Sequence, residues 1–425
     1  MTNTLLTISM ITVKALQLFR NSNAFLKVIN KEYQGYFGKQ PLSIGSVLQI
    51  RKPIDPVTRN GATASPQNAV EQEIPLYINQ LIGVDLAFTD TDLSLNIADF
   101  TNRFLAPSVN KLGGAVASAI MGGVETGGTA ATGGQQTGTN GLGGIPNVVN
   151  LTASGLNNGA AATISPVAAT WLKAGARLSD QSCPMDERVV VMSPDTQANT
   201  VASLAGLFNP QRNISTQYEK GMMGVDTLGY EKWLSDQTVI THTTAAYGTL
   251  ATVNGGSQTG STITVHALNG PLSVGDIISF AGVNFCNHIT QQDTGVLATF
   301  VITAAASTSA TSVSIYPPLT PAGVSFATVT ASPADAAQLS SPIEASQVYR
   351  KNFVFHPTAC TCAFIELPEN EPGTASKSES FDGFSLRMMH YYNGANMTGS
   401  WRMDTLFGSV WPRPEWACIV TDTTS

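Results

Sequence analysis

Charged residues are scarce in this chain: Asp, Glu, Lys and Arg make up 12% of its 425 residues, about half the share of about 25% usual in globular domains. The 22 basic residues stand against 29 acidic ones, for a net charge of −7. They are scattered, and no basic run is interleaved with aromatics. Affinity gained by displacing counterions from nucleic acid needs clustered Lys and Arg, so sequence-specific nucleic-acid binding is not expected. Long apolar runs are missing too. None reaches the roughly 18 residues of a membrane span, and the nearest, Gly113–Val124, is short and glycine-rich. The first residues lack a basic n-region, an apolar core and a small-residue cleavage site, which argues against a secretory signal. The sequons NLT, NIS and NMT carry no weight without secretion. Five cysteines (Cys183, Cys286, Cys360, Cys362 and Cys418) make no spacing suited to a disulfide framework. A reduced, cytoplasmic site of synthesis is the simplest reading.

Signatures of catalysis are also wanting. The five histidines, His242, His266, His288, His356 and His390, form no HExxH or other close ligand pair. Cys360 and Cys362 share one face if their segment is a strand, but a metal there needs two more ligands that the sequence does not provide. Small apolar packing is the simpler use for both. There is no GxSxG, and Cys183 precedes Pro184 in a loop without an identifiable base. Asp90 and Asp92 fall in a turn, where carboxylates cap backbone N–H groups more often than they move protons. Neither phosphate-cradling glycine motif, GxxxxGK[ST] or GxGxxG, is present in its proper setting. No catalytic, cofactor-binding or metal-binding residue is assigned, and no enzyme is expected. Trp401, Trp411 and Trp416 gather near the C-terminus with Phe407, Tyr391 and Tyr392. Such a group serves as core or interface more often than as a sugar platform.

What the chain does have is apolar material, 43% of its residues, and a marked change of pattern along its length. From Thr4 to Asn30, Leu5, Ile8, Ile11, Ala15 and Leu18 recur at helical steps. A helix there either lies on its own core or reaches to a neighbour. Ser43–Gln80 alternates like strands at both ends, while Pro53, Pro56, Asn60-Gly61 and Pro66 mark a long tip. That pattern describes a projecting hairpin, followed by a strand through Ile82, Val84, Leu86 and Phe88. Pro107 then opens a helix carrying Val109, Leu112, Val116 and Ile120 on one face. Gly113 and Gly114 weaken this helix but allow another backbone to approach closely. The stretch 122–145 is Gly/Thr-rich and of low complexity. Residues 164–208 read as helix, strand, helix. Between 241 and 345 six short β runs recur, among them DIISFAGV, GVLATFVI and ATSVSIY, as in a small antiparallel barrel or sandwich. Longer, aromatic-rich strands close the chain.

Three segments carry a family resemblance. GDIISFAGVNF (Gly275–Phe285) with DTGVLATFVI (Asp293–Ile302) resembles the inserted domain of major capsid proteins of the P-twenty-two-like tailed phages. RKNFVFHPTACTCAFIELP (Arg350–Pro368) and WRMDTLFGSVWPRPEWACIV (Trp401–Val420) are similar to that family's closing strands. Asn352, Phe355 and His356 match its Asn-Leu-x-Phe-His opening. Asp404, Leu406, Gly408, Arg413, Pro414 and Glu415 match its Asp-x-Leu-Tyr-Gly…Arg-Pro-Glu ending. The resemblance implies an α+β protein of the Hong Kong 97-type capsid fold with an inserted small antiparallel β-barrel. On that layout residues 1–42 are the N-terminal arm, and 43–90 the E-loop hairpin and its following strand. Residues 91–240 carry the P-domain spine helix, near Pro107–Met121, and the first part of the A-domain. Residues 241–345 are the inserted barrel, and 346–425 complete the A- and P-domains.

The implied function is that of a structural major capsid protein. It would self-assemble through arm and E-loop into pentamers and hexamers of an icosahedral head enclosing double-stranded DNA. Expected partners are a scaffolding protein during assembly, a portal at one vertex and a decoration protein. No cofactor is expected. The protein would be made and assembled in the bacterial host cytoplasm and end in the virion. Two places depart from the family. The loop Val253–Thr262, where relatives carry a charged bridge between capsomers, is short and uncharged. The Gly/Thr-rich stretch has no counterpart. Lys52 is a formal candidate for the Lys–Asn crosslink of some relatives of the broader fold, although this subfamily assembles without one. The alternative reading is a β-rich decoration protein or receptor-binding adhesin that uses the C-terminal aromatics.

Overall fold

The computed structural model describes residues 8–32, 47–52, 54–56, 66, 68, 71–89, 104–126, 144–151, 167–204, 227–369, 375–393 and 398–423. Asp90, Asp92, the hairpin tip at 57–65 and most of the Gly/Thr-rich stretch lie outside the described residues. The architecture is mixed α+β and rich in strands.

The N-terminal helix α1 spans Ile8–Ser22, and the expected continuation to Asn30 is broken at Asn23. The Oδ1 of Asn23 accepts from the N–H groups of Phe25 (2.8 Å) and Leu26 (3.3 Å), opening the one-turn helix α2, Phe25–Val28. This side chain competes with the helical backbone for its own donors, the usual reason Asn disfavours helix interiors. Its amide is held in turn by Asp236 (3.1 Å) and Thr238 (3.0 Å), more than 200 residues away. Between the two possibilities for α1 the structure is clear: Ala15, Leu16 and Phe19 are buried in the molecule's own main core. Phe19 meets Phe384 and Phe364 edge-on at 5.5 and 6.4 Å.

Helix α3, Ala106–Thr126, buries the face read from sequence, with Val109, Leu112, Val116 and Ile120 fully enclosed. Its Gly113 faces the Ser22 hydroxyl so closely that a Cβ would overlap it. The glycine admits the end of α1, as expected for a small residue at a helix crossing.

A six-stranded sheet shares the main core with helices α1 and α3. Its order is β4 (Asn147–Asn150), β18 (Ala417–Thr423), β13 (Val348–Phe355), β5 (Val189–Met192) and β6 (Lys232–Ser235), with β7 (Thr241–Thr243) also beside β13. Side chains alternate between two cores, as the two-residue strand period requires. Val189, Val191, Phe353, Phe355 and Ile419 enter the main core. Val190, Met192, Val354, Cys418 and Val420 face a second core under helix α4 (Val167–Asp180), where Trp171 and Trp233 meet edge-on. Helix α5, Pro194–Leu204, follows β5 directly.

A second sheet runs β14 (Thr361–Ile365), β17 (Thr398–Val410), β16 (Phe384–Asn393) and β15 (Ala375–Phe381), with β3 (Gln80–Thr89) along β17. The hairpin strands β1 (Val47–Lys52) and β2 (Gln72–Tyr77) pair antiparallel, Ile50 opposite Ile74.

The inserted region has its own sheet and core. The sheet runs β12 (Leu339–Ser340), β9 (Ile277–Cys286), β10 (Asp293–Ile302), β11 (Ser312–Leu319) and β8 (Gly260–Thr264). A closed barrel was expected; among the described residues these strand ladders form an open path. Segment 251–254 lies between its two ends. There Leu339 and Val253 donate to Ala251 and Ala337, and Asn254 donates to Thr264, all through isolated bridges and single hydrogen bonds. These four residues make isolated bridges and no sixth ladder. The core beneath is drawn wholly from residues 247–339, including Ile278, Phe280, Phe300 and Ile315.

Candidate assembly surfaces

The hairpin is anchored firmly at its base. Ile50, Ile74, Leu76 and Ile78 are buried with Ala363, Leu367, Leu406 and Val410 of the second sheet and its flank. A Cβ at Gly408 would overlap the Tyr77 carbonyl oxygen, so only glycine lets the end of β2 cross β17 this closely. At the outer end of β1, Lys52 Nζ lies 2.9 Å from Glu415 Oε1, with both side chains three-quarters or more buried. Asp55 Oδ2 then accepts from the Phe326 N–H of the inserted region at 2.8 Å. Arg51 stays near 3.6 Å from Glu71 and Glu73 in solvent, where such pairs contribute little.

The residues behind the sequence resemblance are brackets of this framework. Asn352, fully buried, accepts from Ser193 N–H (2.9 Å) and donates to Val420 O (3.1 Å), tying β13 to strands on both sides. His356 Nδ1 bonds the Thr358 hydroxyl at 2.7 Å at the turn after β13. Asp404, also buried, binds Arg387 at 3.0 Å and Arg402 at 2.8 Å. The Arg413 guanidinium stacks over Trp416 at 4.0 Å, and Glu415 holds the hairpin through Lys52. A family model, "P22 coat protein - gene protein 5", matches residues 149–420, nearly two thirds of the chain and all of these brackets. The chain belongs to the P22 coat protein family. It is therefore a structural protein of the phage head shell. No curated protein sequence matches it. Among solved structures it overlays Mycobacterium phage Che8 at 12% identity and a TM-score of 0.43, covering 94% of this chain and 90% of that one. The capsid of cyanophage P-SCSP1u gives 12% and 0.44, covering 91% and 86%. The capsid of an empty GTA particle gives 10% and 0.40, covering 95% and 90%. Overlays this loose carry no argument, and the assignment rests on the sequence family.

Within this framework the other candidate residues separate. Cys360 and Cys362 are buried beside the main core. Burial raises the Cys360 thiol well above its usual range and pushes Cys362 up to about 12. Cys183 is raised to about 11 by burial, against the pull of Arg188. Thiols so raised stay protonated and behave as small apolar groups. Among the described residues no group of three or more His, Cys, Asp and Glu gathers as a metal site. The tryptophans do not make one platform. Trp411 is buried against Phe353 and Phe355, Trp416 lies edge-on to His356, and Trp401 rests on His390 at 4.7 Å. Lys52 is committed to Glu415. In the uncharged loop Val253–Thr262, Gln258 donates to Asn254 O and Gly255 O at 2.8 Å and accepts from Thr264 N–H at 2.6 Å, fastening the loop to itself.

The chain also has a seam that sequence reasoning missed. Asp276 follows the turn glycine Gly275 (φ 89°). Its side chain is 1% exposed. Oδ2 accepts from Ser273 N–H at 2.7 Å, while Oδ1 sits 3.0 Å from His242 Nε2 of β7. One carboxylate thus closes a turn in the inserted sheet and fastens that sheet to the trunk. The next residues divide between the cores: Ile277 enters the trunk core and Ile278 the inserted one. The Thr299 hydroxyl donates to the Pro146 carbonyl across the same seam. A His 34 residues from an Asp gives no spacing signal, so only the fold reveals the pair.

Proposed function

We propose that this protein is the major subunit of an icosahedral tailed-phage head, assembling as pentamers and hexamers around double-stranded DNA. The family match over 149–420 is the observation that carries the proposal. The Hong Kong 97-type layout, with the five regions read from sequence and a barrel-like insert, is part of it. So are scaffolding and portal partners, a decoration protein, and assembly in the host cytoplasm.

The mechanism is geometric. A hairpin whose base is buried and clamped can carry its tip beyond the subunit without loosening the fold. A tip that engages a neighbour gains from every other contact in the ring, because closure makes later contacts effectively intramolecular. Low charge limits repulsion among many copies. Within that layout residues 11–29 also supply the subunit's own core. The reaching role falls to the hairpin.

Expression of the chain alone and with a scaffolding protein, followed by electron microscopy, tests this reading. Closed shells are expected. Deleting residues 57–65 should leave a folded, soluble subunit that no longer closes shells. A chain that yields only monomers or small trimers in both settings overturns the proposal. The adhesin alternative has lost its support, because its aromatic platform is dispersed.

A further inference from the structure

The outer end of the hairpin is held differently from its base. The base is apolar, with Ile50 and Leu76 packed against the second sheet. The outer end is held by two polar contacts: Lys52 Nζ lies 2.9 Å from Glu415 Oε1, and the Phe326 N–H donates to Asp55 Oδ2 at 2.8 Å. Beneath it lies a cavity of about 530 Å³. Its wall takes Lys52, Gln72 and Glu73 from the hairpin, Glu415 from the trunk, and His288 and Tyr316 from the inserted region. The hairpin therefore forms part of what separates His288 from water.

His288 is the group in this cavity whose ordinary titration falls nearest neutrality. Burial holds it below the ordinary histidine value; Glu415 and Asp55 pull the other way, and Lys52 adds to the effect of burial. Glu73 of β2 lines the same space. Tyr316 of β11, raised well above its usual range by burial and by Glu415, stays a neutral phenol. Lifting the hairpin opens the cavity and returns the imidazole to water, where it binds a proton more readily. A proton that binds the open state better than the closed one shifts the balance toward opening.

We propose that the outer end of the hairpin is an acid-released strap, closed over a neutral His288 and lifted from Glu415 and Phe326 when that imidazole is protonated. The strap is fully held above about pH 6.5, the ordinary histidine value. As pH falls from there toward the lowered value of the closed state, its hold weakens by up to about tenfold per unit. The apolar base stays seated, so the outer end is freed without unfolding the subunit. The proposal goes beyond the coat-protein reading and needs only a single chain.

Spin labelling of the full-length monomer tests it. All five natural cysteines are buried, so nitroxides attach to Ile54→Cys and Ile289→Cys, both exposed positions, and report the separation of hairpin and insert. At about pH 7.5 the dipolar spectrum should be dominated by one short separation. At about pH 5.5, still above the range in which Asp and Glu ordinarily titrate, a longer separation should grow about tenfold. Far-UV circular dichroism should not change. His288→Gln should abolish this growth, and His356→Gln should leave it in place. Glu415→Gln, which loosens the Lys52 tie, should show the longer separation already at the higher pH. An unchanged short separation in the parent at both pH values overturns the proposal. So does equal growth in the His288→Gln chain, or a Glu415→Gln chain that stays closed at the higher pH. Failure of the chain to form shells leaves these spectra unaffected and counts against the coat reading alone.

Discussion

The trunk and the inserted sheet bury comparable kinds of side chain but gather them differently. The inserted core comes from residues 247–339, a single continuous stretch. The trunk core needs Ala15 and Phe19 from the first helix, Val116 from the third, Val189 from the middle and Ile419 from the last strand. One unit can close on itself, whereas the other closes only when both ends of the chain arrive. The seam between them is narrow and polar at its centre, with Asp276 and His242 joined and Ile277 and Ile278 divided between the two sides. The difference predicts that residues 247–339 can pack their core without the trunk, while the trunk cannot pack without both chain ends.

The largest test of this contrast removes residues 1–22. Circular dichroism and dye binding should report a collapsed but unpacked trunk, while hydrogen exchange still protects amides of β9 and β10. Loss of protection in both regions together would show that the insert depends on the trunk. Next come paired truncations. Phe353→Ala should destabilise the trunk, and Phe280→Ala the insert, each by about 3–5 kcal/mol as a filled core site becomes a cavity. Scanning calorimetry should show each moving a different transition. Asp276→Ala leaves Ser273 N–H and its His242 contact without their acceptor, costing about 1–3 kcal/mol. Its signature should be wider separation of the two transitions, because the fastening between the units is lost.

The smallest expected effect is a response to acid. Burial holds His288 of the insert and His356 of the trunk below the ordinary histidine value. The unfolded chain therefore binds protons first, so stability is full above about pH 6.5 and falls as pH drops from there through the lowered folded values. His288→Gln should flatten this decline in the insert transition, and His356→Gln in the trunk transition. A decline unchanged by either substitution would place its origin in the carboxylates.

Much of the trunk was legible because its signals are local. The 3-4-4 spacing of Val109, Leu112, Val116 and Ile120 names a buried helical face, and the structure encloses all four. Gly113 advertised a close crossing and receives Ser22. The alternation in 47–52 and 72–77 describes a hairpin, and the two runs pair in register. What failed was decided by partners remote in sequence. The break at Asn23 is held by Asp236 and Thr238. The role of Asp276 depends on His242. The tryptophans look like one cluster in sequence, yet alternate strand faces and a turn send them to different neighbours. The DIISFAGV run, read as a strand, is one, and its Ile277–Phe280 stretch is enclosed on both faces. Exposure of Ile289 and Val324 has no sequence signature at all; apolar residues in a β-rich stretch read as core.

The position of β13 has a consequence for timing. This strand sits between β18 on one side and β5 and β7 on the other, and both β13 and β18 are translated after the insert. At roughly 5–20 residues per second, a ribosome leaving Ala345 needs roughly 4–16 s to deliver β18. Throughout that interval the insert has every residue of its own core, while the trunk sheet still lacks β18. A nascent subunit therefore passes through a stage in which the hairpin base has no β17 to lie against. The last strands made include the one on which the hairpin base rests.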